Sequence, residues 1–356
     1  MSDRAWLILT DGYLTTRNAK TAHGVIQYAP DRIAAVLDGE HAGRDVGDVL
    51  PRLGRRVPIV GSLEEALSYE PTSLLLGVAT PGGWMPEHWR TLMIEAITSG
   101  LEIVNGLHTF LKDDPELVRL AEAHGVRLWD VRDPPTDIPL FSGKSLVIPQ
   151  SVVLTVGSDC AVGKKTAALE LTKAGNAAGR KCEFVATGQT GILIAGRGIA
   201  VDRVISDFLS GAAEKLVCEA DPGSEVLIVE GQGGMWHPAY ASVTLGLLHG
   251  CAPHALVLCH QAGRTAIEEP PYTKLPPLSE MVSAYEQAAS LLRPAKVACV
   301  TVNCQDLDDD VARAELERIE DSTGLPAGDV LRGDAPKLWE AAAANLPQPS
   351  GSLGEN

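Results

Sequence analysis

No cysteine precedes Cys160, and the seven in the chain (160, 182, 218, 251, 259, 299 and 304) include no CxxC pair. A disulfide framework or a zinc ribbon needs closely paired cysteines, so these thiols read as reduced and mostly buried. Aromatic residues make up only 4% of the chain, and no apolar run approaches the roughly 20 residues that cross a bilayer. The first nine residues lack the charged-then-apolar profile of a secretory leader, so a cytoplasmic location without a membrane partner is expected. Positive charge is scarce: 30 Lys and Arg against 46 Asp and Glu leave a formal net charge of −16 with no basic stripe, which argues against nucleic acid as a partner. The first turn, Asp11-Gly12-Tyr13-Leu14-Thr15-Thr16, lacks the GxGxxG fingerprint, so nothing there marks a dinucleotide site.

What is present is alternation. Short apolar or β-branched runs at 6–10, 33–38, 58–60, 74–80, 102–105 and 127–131 are separated by helix-like stretches such as 63–69, 87–99 and 115–124. That order predicts βαβ units and a parallel sheet. Three prolines between Pro134 and Pro139 prevent helix and weaken any ladder, so a linker is expected there. A second series of strands is expected at 152–156, 182–187, 225–230, 255–259 and 297–303, again with helices between. The 356 residues therefore read as α/β, a Rossmann-like parallel-sheet domain at 1–140 followed by a P-loop NTPase-like α/β domain at 141–346, with a Ser/Gly-rich flexible tail at 347–356.

The second series opens on Gly157-Ser158-Asp159-Cys160-Ala161-Val162-Gly163-Lys164-Lys165-Thr166, a strand-to-helix turn with the make-up of a phosphate loop. Glycines let backbone N–H groups crowd an anion, the helix points its positive end at it, and Lys supplies a full charge. Five residues separate Gly157 from Gly163, and the hydroxyl arrives at Thr166 rather than directly after Lys164. One residue along a helix turns a side chain by about 100°, so a pyrophosphate held without tightly bound Mg²⁺ fits this loop. Gly157, Ser158, Ala161, Val162, Gly163, Lys164, Lys165 and Thr166 are the candidate cofactor contacts. Cys160 reads as small loop filler, with a nucleophilic or redox role as the alternative because the helix dipole and two lysines favour a thiolate.

Glu230 ends the run 225–229 and precedes Gly231-Gln232-Gly233-Gly234. An acid at a strand tip beside a phosphate loop is the second half of a nucleotide site, placed to hold Mg²⁺ or its water. Gly231, Gly233 and the strand-ending Asn303 join the cofactor set; an ordinary turn role for Asn303 is the alternative. Gly188-Gln189-Thr190-Gly191 leads through Arg197 and Asp202-Arg203 to Asp207, a polar stretch expected to face ligand rather than fill a core; turn and cap are the alternatives. His260 and Arg264 leave the next strand at its carboxyl end, suited to proton transfer and to gripping a carboxylate. In the first half, Asp38 reads as a strand-ending turn acid. Thr80-Pro81-Gly82-Gly83, Asn105-Gly106-Leu107-His108 and Lys20 with His23 divide between site and scaffold. His237 and His254 read as loop and strand-edge residues, and no spacing specifies zinc.

The five-residue gap before Gly-Lys, together with Val-Glu-Gly-x-Gly-Gly at 229–234, resembles dethiobiotin synthetase. Over nearly the full length the chain resembles a former domain-of-unknown-function family now described as D-glutamate N-acetyltransferase-like proteins. The matching residues are Gly-Ser-Asp-Cys-Ala-Val-Gly-Lys at 157–164, Ala-Thr-Gly-Gln-Thr-Gly at 186–191, Asp207-Phe208 with Gly-Ala-Ala-Glu at 211–214, Val-Glu-Gly-Gln-Gly at 229–233 and His-Gln-Ala-Gly-Arg at 260–264. Lys-Thr-Ala-His-Gly at 20–24 and Gly-Leu-His at 106–108 also fit. The resemblance implies acetyl transfer from acetyl-CoA to the amino group of a small acidic D-amino acid. The loop would hold the CoA pyrophosphate, Gln189, Thr190, Arg197, Arg203 and Arg264 the substrate, and Asp207, His260 or Glu230 the proton. The rival is an ATP-dependent ligase or kinase in which Thr166 and Glu230 hold Mg²⁺, and a third reading is a nucleotide sensor. A homo-oligomer is expected.

Overall fold

The computed structural model describes residues 4–80, 85–268 and 273–347. Two compact units emerge, and the division is not a single cut in the chain: residues 1–134 and 189–203 form the first, residues 135–188 and 204–356 the second. Pro81, Gly82 and Gly83 and the tail from residue 348 lie outside the described residues.

The first unit is built on a six-stranded sheet of β1 (Ala5–Leu9), β2 (Arg32–Leu37), β3 (Ile59–Val60), β4 (Ser73–Leu76), β5 (Glu102–Asn105) and β6 (Leu128–Asp130). Its strand order is β3-β2-β1-β4-β5-β6 with every pairing parallel, the doubly wound order of a Rossmann sheet. The central strands are buried on both faces, so they read as continuous apolar runs rather than alternating ones. The strand expected to reach residue 80 stops at Leu76. A Cβ on Gly77 would lie 2.9 Å from Ala22 Cβ and 2.7 Å from Ile8, and the Gly77 carbonyl accepts from Ala22 N at 3.0 Å. The helix Lys20–Tyr28 therefore presses on the chain at this point and takes it off the ladder. Asp38 is a turn acid, as expected: its Oδ2 accepts from Thr10 Oγ1 at 2.7 Å and Gly12 N at 3.0 Å.

The second unit carries β7 (Ser151–Gly157), β8 (Cys182–Val185), β9 (Val226–Val229), β10 (Ala255–Gln261), β11 (Lys296–Asn303) and β12 (Ala327–Gly328). The order β12-β11-β10-β7-β9-β8 is again all parallel. β7 is central, flanked by β9 on one side and β10 on the other, so consecutive connections depart to opposite sides at its carboxyl end. Ligands of open parallel sheets collect at such a crevice. The helix Lys164–Ala177 packs its small residues on this sheet. Ala167, Ala168, Leu171 and Gly175 are buried, while Ala178 is an exposed C-cap. Gly175 sets that rotation, because a Cβ there would sit 2.4 Å from Cys182 Sγ and 3.1 Å from the Trp339 ring. The acidic run 306–310 starts a helix, with Asp308 capping Val311 N at 3.0 Å.

Candidate active site

The loop after β7 folds as the residue types require. Ala161 (φ 56°) and Gly163 (φ 104°) take left-handed conformations, which turn the chain tightly enough to start the helix Lys164–Ala177 at once. Tyr285 Oη donates to the Gly157 carbonyl at 2.6 Å, and Ser158 N donates to Cys259 O at 2.9 Å, tying the loop's first residues to the unit's core. Gly157 leaves room that a side chain would not: a Cβ there would lie 2.9 Å from the Asp159 carbonyl oxygen and 2.8 Å from Lys164 Nζ.

Lys164 is buried, and its Nζ donates to the Asp159 carbonyl at 2.6 Å. It has no carboxylate within ion-pair distance among the described residues, and burial pulls its pKa below the usual lysine value. A cation desolvated at a helix N-terminus with no directly paired carboxylate is the electrostatic signature of an anion site. Lys165 and Thr166 follow on the first helical turn, both half-buried.

Glu230 follows β9 and is also buried, and burial raises its pKa against the opposing influence of Lys165 and of two backbone N–H groups. Those N–H groups, from Thr187 and Gly188, both donate to Oε2 at 3.1 Å. They also explain why β8 ends at Val185 rather than at residue 187: the chain leaves the ladder to bind the acid. Gly231 N donates to Thr155 Oγ1 at 2.8 Å, and a Cβ on Gly231 would stand 1.6 Å from Thr155 O. Gly233 has φ 69° and lies against the Tyr240 carbonyl. Both glycines thus shape the strand tip that presents Glu230.

His260 is buried with its Nδ1 2.9 Å from Ser158 Oγ. Burial, aided by the charges of Arg264 and Arg318 and opposed by Glu315, depresses it to about 4, so the ring is neutral at physiological pH. Arg264 reaches back into the loop: it donates to Asp159 Oδ2 at 2.6 Å and to Cys160 O at 3.2 Å, and also bonds Gln261 and Glu268. Its guanidinium is therefore a strut that holds the loop's second turn. Asn303 stands beside the loop, its Cβ 4.0 Å from the Cβ position of Gly163, and its Oδ1 accepts from Gln305 N at 3.1 Å in a turn.

The structure thus gathers the loop, Glu230, Gly231, Gly233, His260, Arg264 and Asn303 at the carboxyl edge of one sheet. Asp207 belongs to the same unit but is exposed in the turn Ser206–Phe208 and makes no hydrogen bond to the loop among the described residues. Gln189, Thr190, Arg197 and Arg203 belong to the first unit. The stretch expected to be a polar loop there is the start of the helix Gln189–Ala195, and both Gln189 and Thr190 are buried. Their polar ends are satisfied inside that unit: Gln189 Oε1 accepts from Arg132 Nε at 3.3 Å, and Thr190 pairs with Thr21 at 3.3 Å. Arg132 also pairs with Asp202, while Arg203 lies 4.8 Å over the Phe110 ring. Sequence reasoning passed over Asp159 as a partner of Arg264, and over Tyr285. Tyr285 had no local signal, whereas an acid two residues into a phosphate loop facing an Arg at a neighbouring strand end was open to inference.

Residues 139–339 match the P-loop domain of the family described as domain of unknown function DUF1611, and residues 39–134 match its Rossmann-like N-terminal domain. A protein of Tritonibacter scottomollicae named D-glutamate N-acetyltransferase is 38% identical over 92% of this chain and 94% of its own. A second protein of that name, from a Pseudoalteromonas species, is 40% identical over 76% and 81%. The crystal structure of a DUF1611 family protein from Anabaena variabilis superposes with a TM-score of 0.91 at 36% identity, covering 96% of this chain and 99% of that one. Two parallel sheets in these strand orders, a phosphate loop on the second and matches along both halves leave one assignment: the chain belongs to the DUF1611 family.

Proposed function

We propose that the protein is an N-acetyltransferase that moves acetyl from acetyl-CoA to the amino group of an acidic D-amino acid such as D-glutamate. The observation that carries this reading is the buried Lys164, which has no carboxylate within ion-pair distance among the described residues and stands at the start of a helix beside the loop N–H groups. A diphosphate fits that need, and the printed name of two relatives near 40% identity supplies the reaction type. Acetyl-CoA would bring an activated thioester; the chain's own residues bind, orient and move protons. Lys164 and the loop backbone hold the pyrophosphate, with Thr166 too far along the helix for the usual metal-ligand position.

The substrate ammonium must lose a proton before its nitrogen can attack. Glu230 suits that role best among the three acid–base candidates. Its raised pKa brings it towards the working pH, and the two N–H groups on Oε2 hold the carboxylate still. His260, held near 4 by burial, is a weak base, and Asp207 is exposed and makes no hydrogen bond to the loop among the described residues. Ser158, paired with His260, offers a hydroxyl that can donate to the developing oxyanion. Lys165, whose charge acts on Glu230, offers a cation for a substrate carboxylate.

The test is a paired incubation of purified protein with D-glutamate and either acetyl-CoA or Mg-ATP. Thiol release with formation of an N-acetylated product supports the transferase. Phosphate release instead would point to a ligase, and neither would leave a nucleotide sensor.

A further inference from the structure

We propose that Asp159, Cys160 and His237 form a zinc site at the tip of the phosphate loop, with a fourth position open to water or a ligand. One ligand atom from each of the three side chains lies within 4.8 Å of the others. Tetrahedral zinc with bonds of about 2.0–2.3 Å sets donors about 3.5 Å apart, so closing the site asks for shifts of about 1 Å.

The independent observation is Asp159 itself, whose side chain is fully buried. Its Oδ2 is committed to Arg264 Nη1 at 2.6 Å and Glu268 N at 2.9 Å, while Oδ1 is buried without any hydrogen-bond partner among the described residues. An unsatisfied oxygen on a buried carboxylate is costly, and a cation shared with a thiolate and an imidazole removes the deficit. Arg264 on Oδ2 then acts as the outer partner that ligating carboxylates usually have.

The approach of His237 is built in. A Cβ on Gly234 would lie 3.0 Å from Asp159 Cα, so only glycine lets the strand-tip segment lie against the loop. The His237 ring is buried and held against Tyr240 at 4.5 Å between centroids, and its Nδ1 accepts from Ala239 N at 3.2 Å, a long bond that zinc ligation by either ring nitrogen replaces. A sulfur, a nitrogen and a single carboxylate oxygen select zinc over Mg²⁺ or Ca²⁺, which prefer all-oxygen sites. Three protein ligands are the number found where a coordination position is kept open.

Metal-free protein, prepared with a chelator, is titrated with Zn²⁺ against a chromophoric competitor and with Co²⁺ by absorption. The expected result is a single ion per chain with a sulfur-to-cobalt charge-transfer band. Cys160→Ser and His237→Gln should each weaken zinc by about 100-fold, at least what loss of an outer partner costs; Cys182→Ser should leave binding unchanged. Zinc should also slow alkylation of Cys160 in the unaltered protein, read by peptide mass mapping, which does not depend on a variant folding. Absence of the charge-transfer band, binding that survives Cys160→Ser, or unprotected alkylation overturns the site. None of these readings involves acetyl transfer, so the zinc site and the proposed reaction stand or fall separately.

Discussion

Replacing Lys164 by Met separates ligand binding from folding. In the unliganded protein the change removes the Nζ bond to the Asp159 carbonyl, worth about 1–3 kcal/mol if that oxygen is left unpaired. It also removes a buried ammonium that has no carboxylate partner, whose desolvation costs several kcal/mol while it stays charged. The two oppose each other, and the depressed pKa already relieves part of the second, so the melting temperature should change little or rise slightly. Ligand binding has no such compensation. Two charge-assisted hydrogen bonds to a diphosphate are worth about 1.5–3 kcal/mol each. Their loss weakens affinity by about 10²–10⁴-fold at 1.4 kcal/mol per decade, towards the lower end because recharging the lysine consumes part of the gain. Calorimetric titration with acetyl-CoA, beside thermal unfolding without ligand, reads both quantities. Unchanged affinity in a folded Lys164→Met protein would refute the anion-site reasoning, and collapse of the unliganded fold would show that Lys164 is structural instead.

Three further outcomes follow from the same geometry. Glu230→Gln keeps an oxygen for the Thr187 and Gly188 N–H groups, so it should fold and bind acetyl-CoA normally while kcat falls by about 10²–10⁴; retained kcat rules Glu230 out as the base. His260 is held at about 4 against 6.5 when unfolded, so between those values the unfolded chain binds more protons and stability falls as pH drops through that window. The loss reaches about 3 kcal/mol, and urea unfolding at pH 7 and pH 5 should show a smaller difference in His260→Gln than in the unaltered protein; equal differences would count against the buried neutral ring. Gly231→Ala places a Cβ 1.6 Å from Thr155 O and should destabilise by about 3 kcal/mol or more, seen as a lowered denaturation midpoint; an unshifted midpoint would mean the strand tip yields freely.

The candidate site was legible to the extent that it is local. A glycine-framed turn between an apolar run and a small-residue helix can fold in few ways, so residues 157–166 announce a phosphate loop, and Glu230 at the next strand tip is read from the same pattern. Long-range pairing was not legible. Arg264 carries the same residue type whether it grips a substrate or Asp159, and only the fold shows its donors taken up by Asp159, Cys160, Gln261 and Glu268. Gln189 and Thr190 looked like ligand-facing polar residues because composition carries no information about distant partners; Arg132 and Thr21 satisfy them.

The amino-acid order by itself determined the class of the molecule: alternating short apolar runs and helices force parallel sheets, and a Gly-rich turn before Lys forces an anion cradle. Tertiary structure decided what the remaining polar groups do, because that depends on which atoms meet across tens of residues. Asp159 and Cys160 meet His237 only because Gly234 lets two segments touch. Residues 189–203 belong to the first unit rather than to the unit that flanks them in sequence, because a buried helix goes where its apolar face and its polar ends are both satisfied.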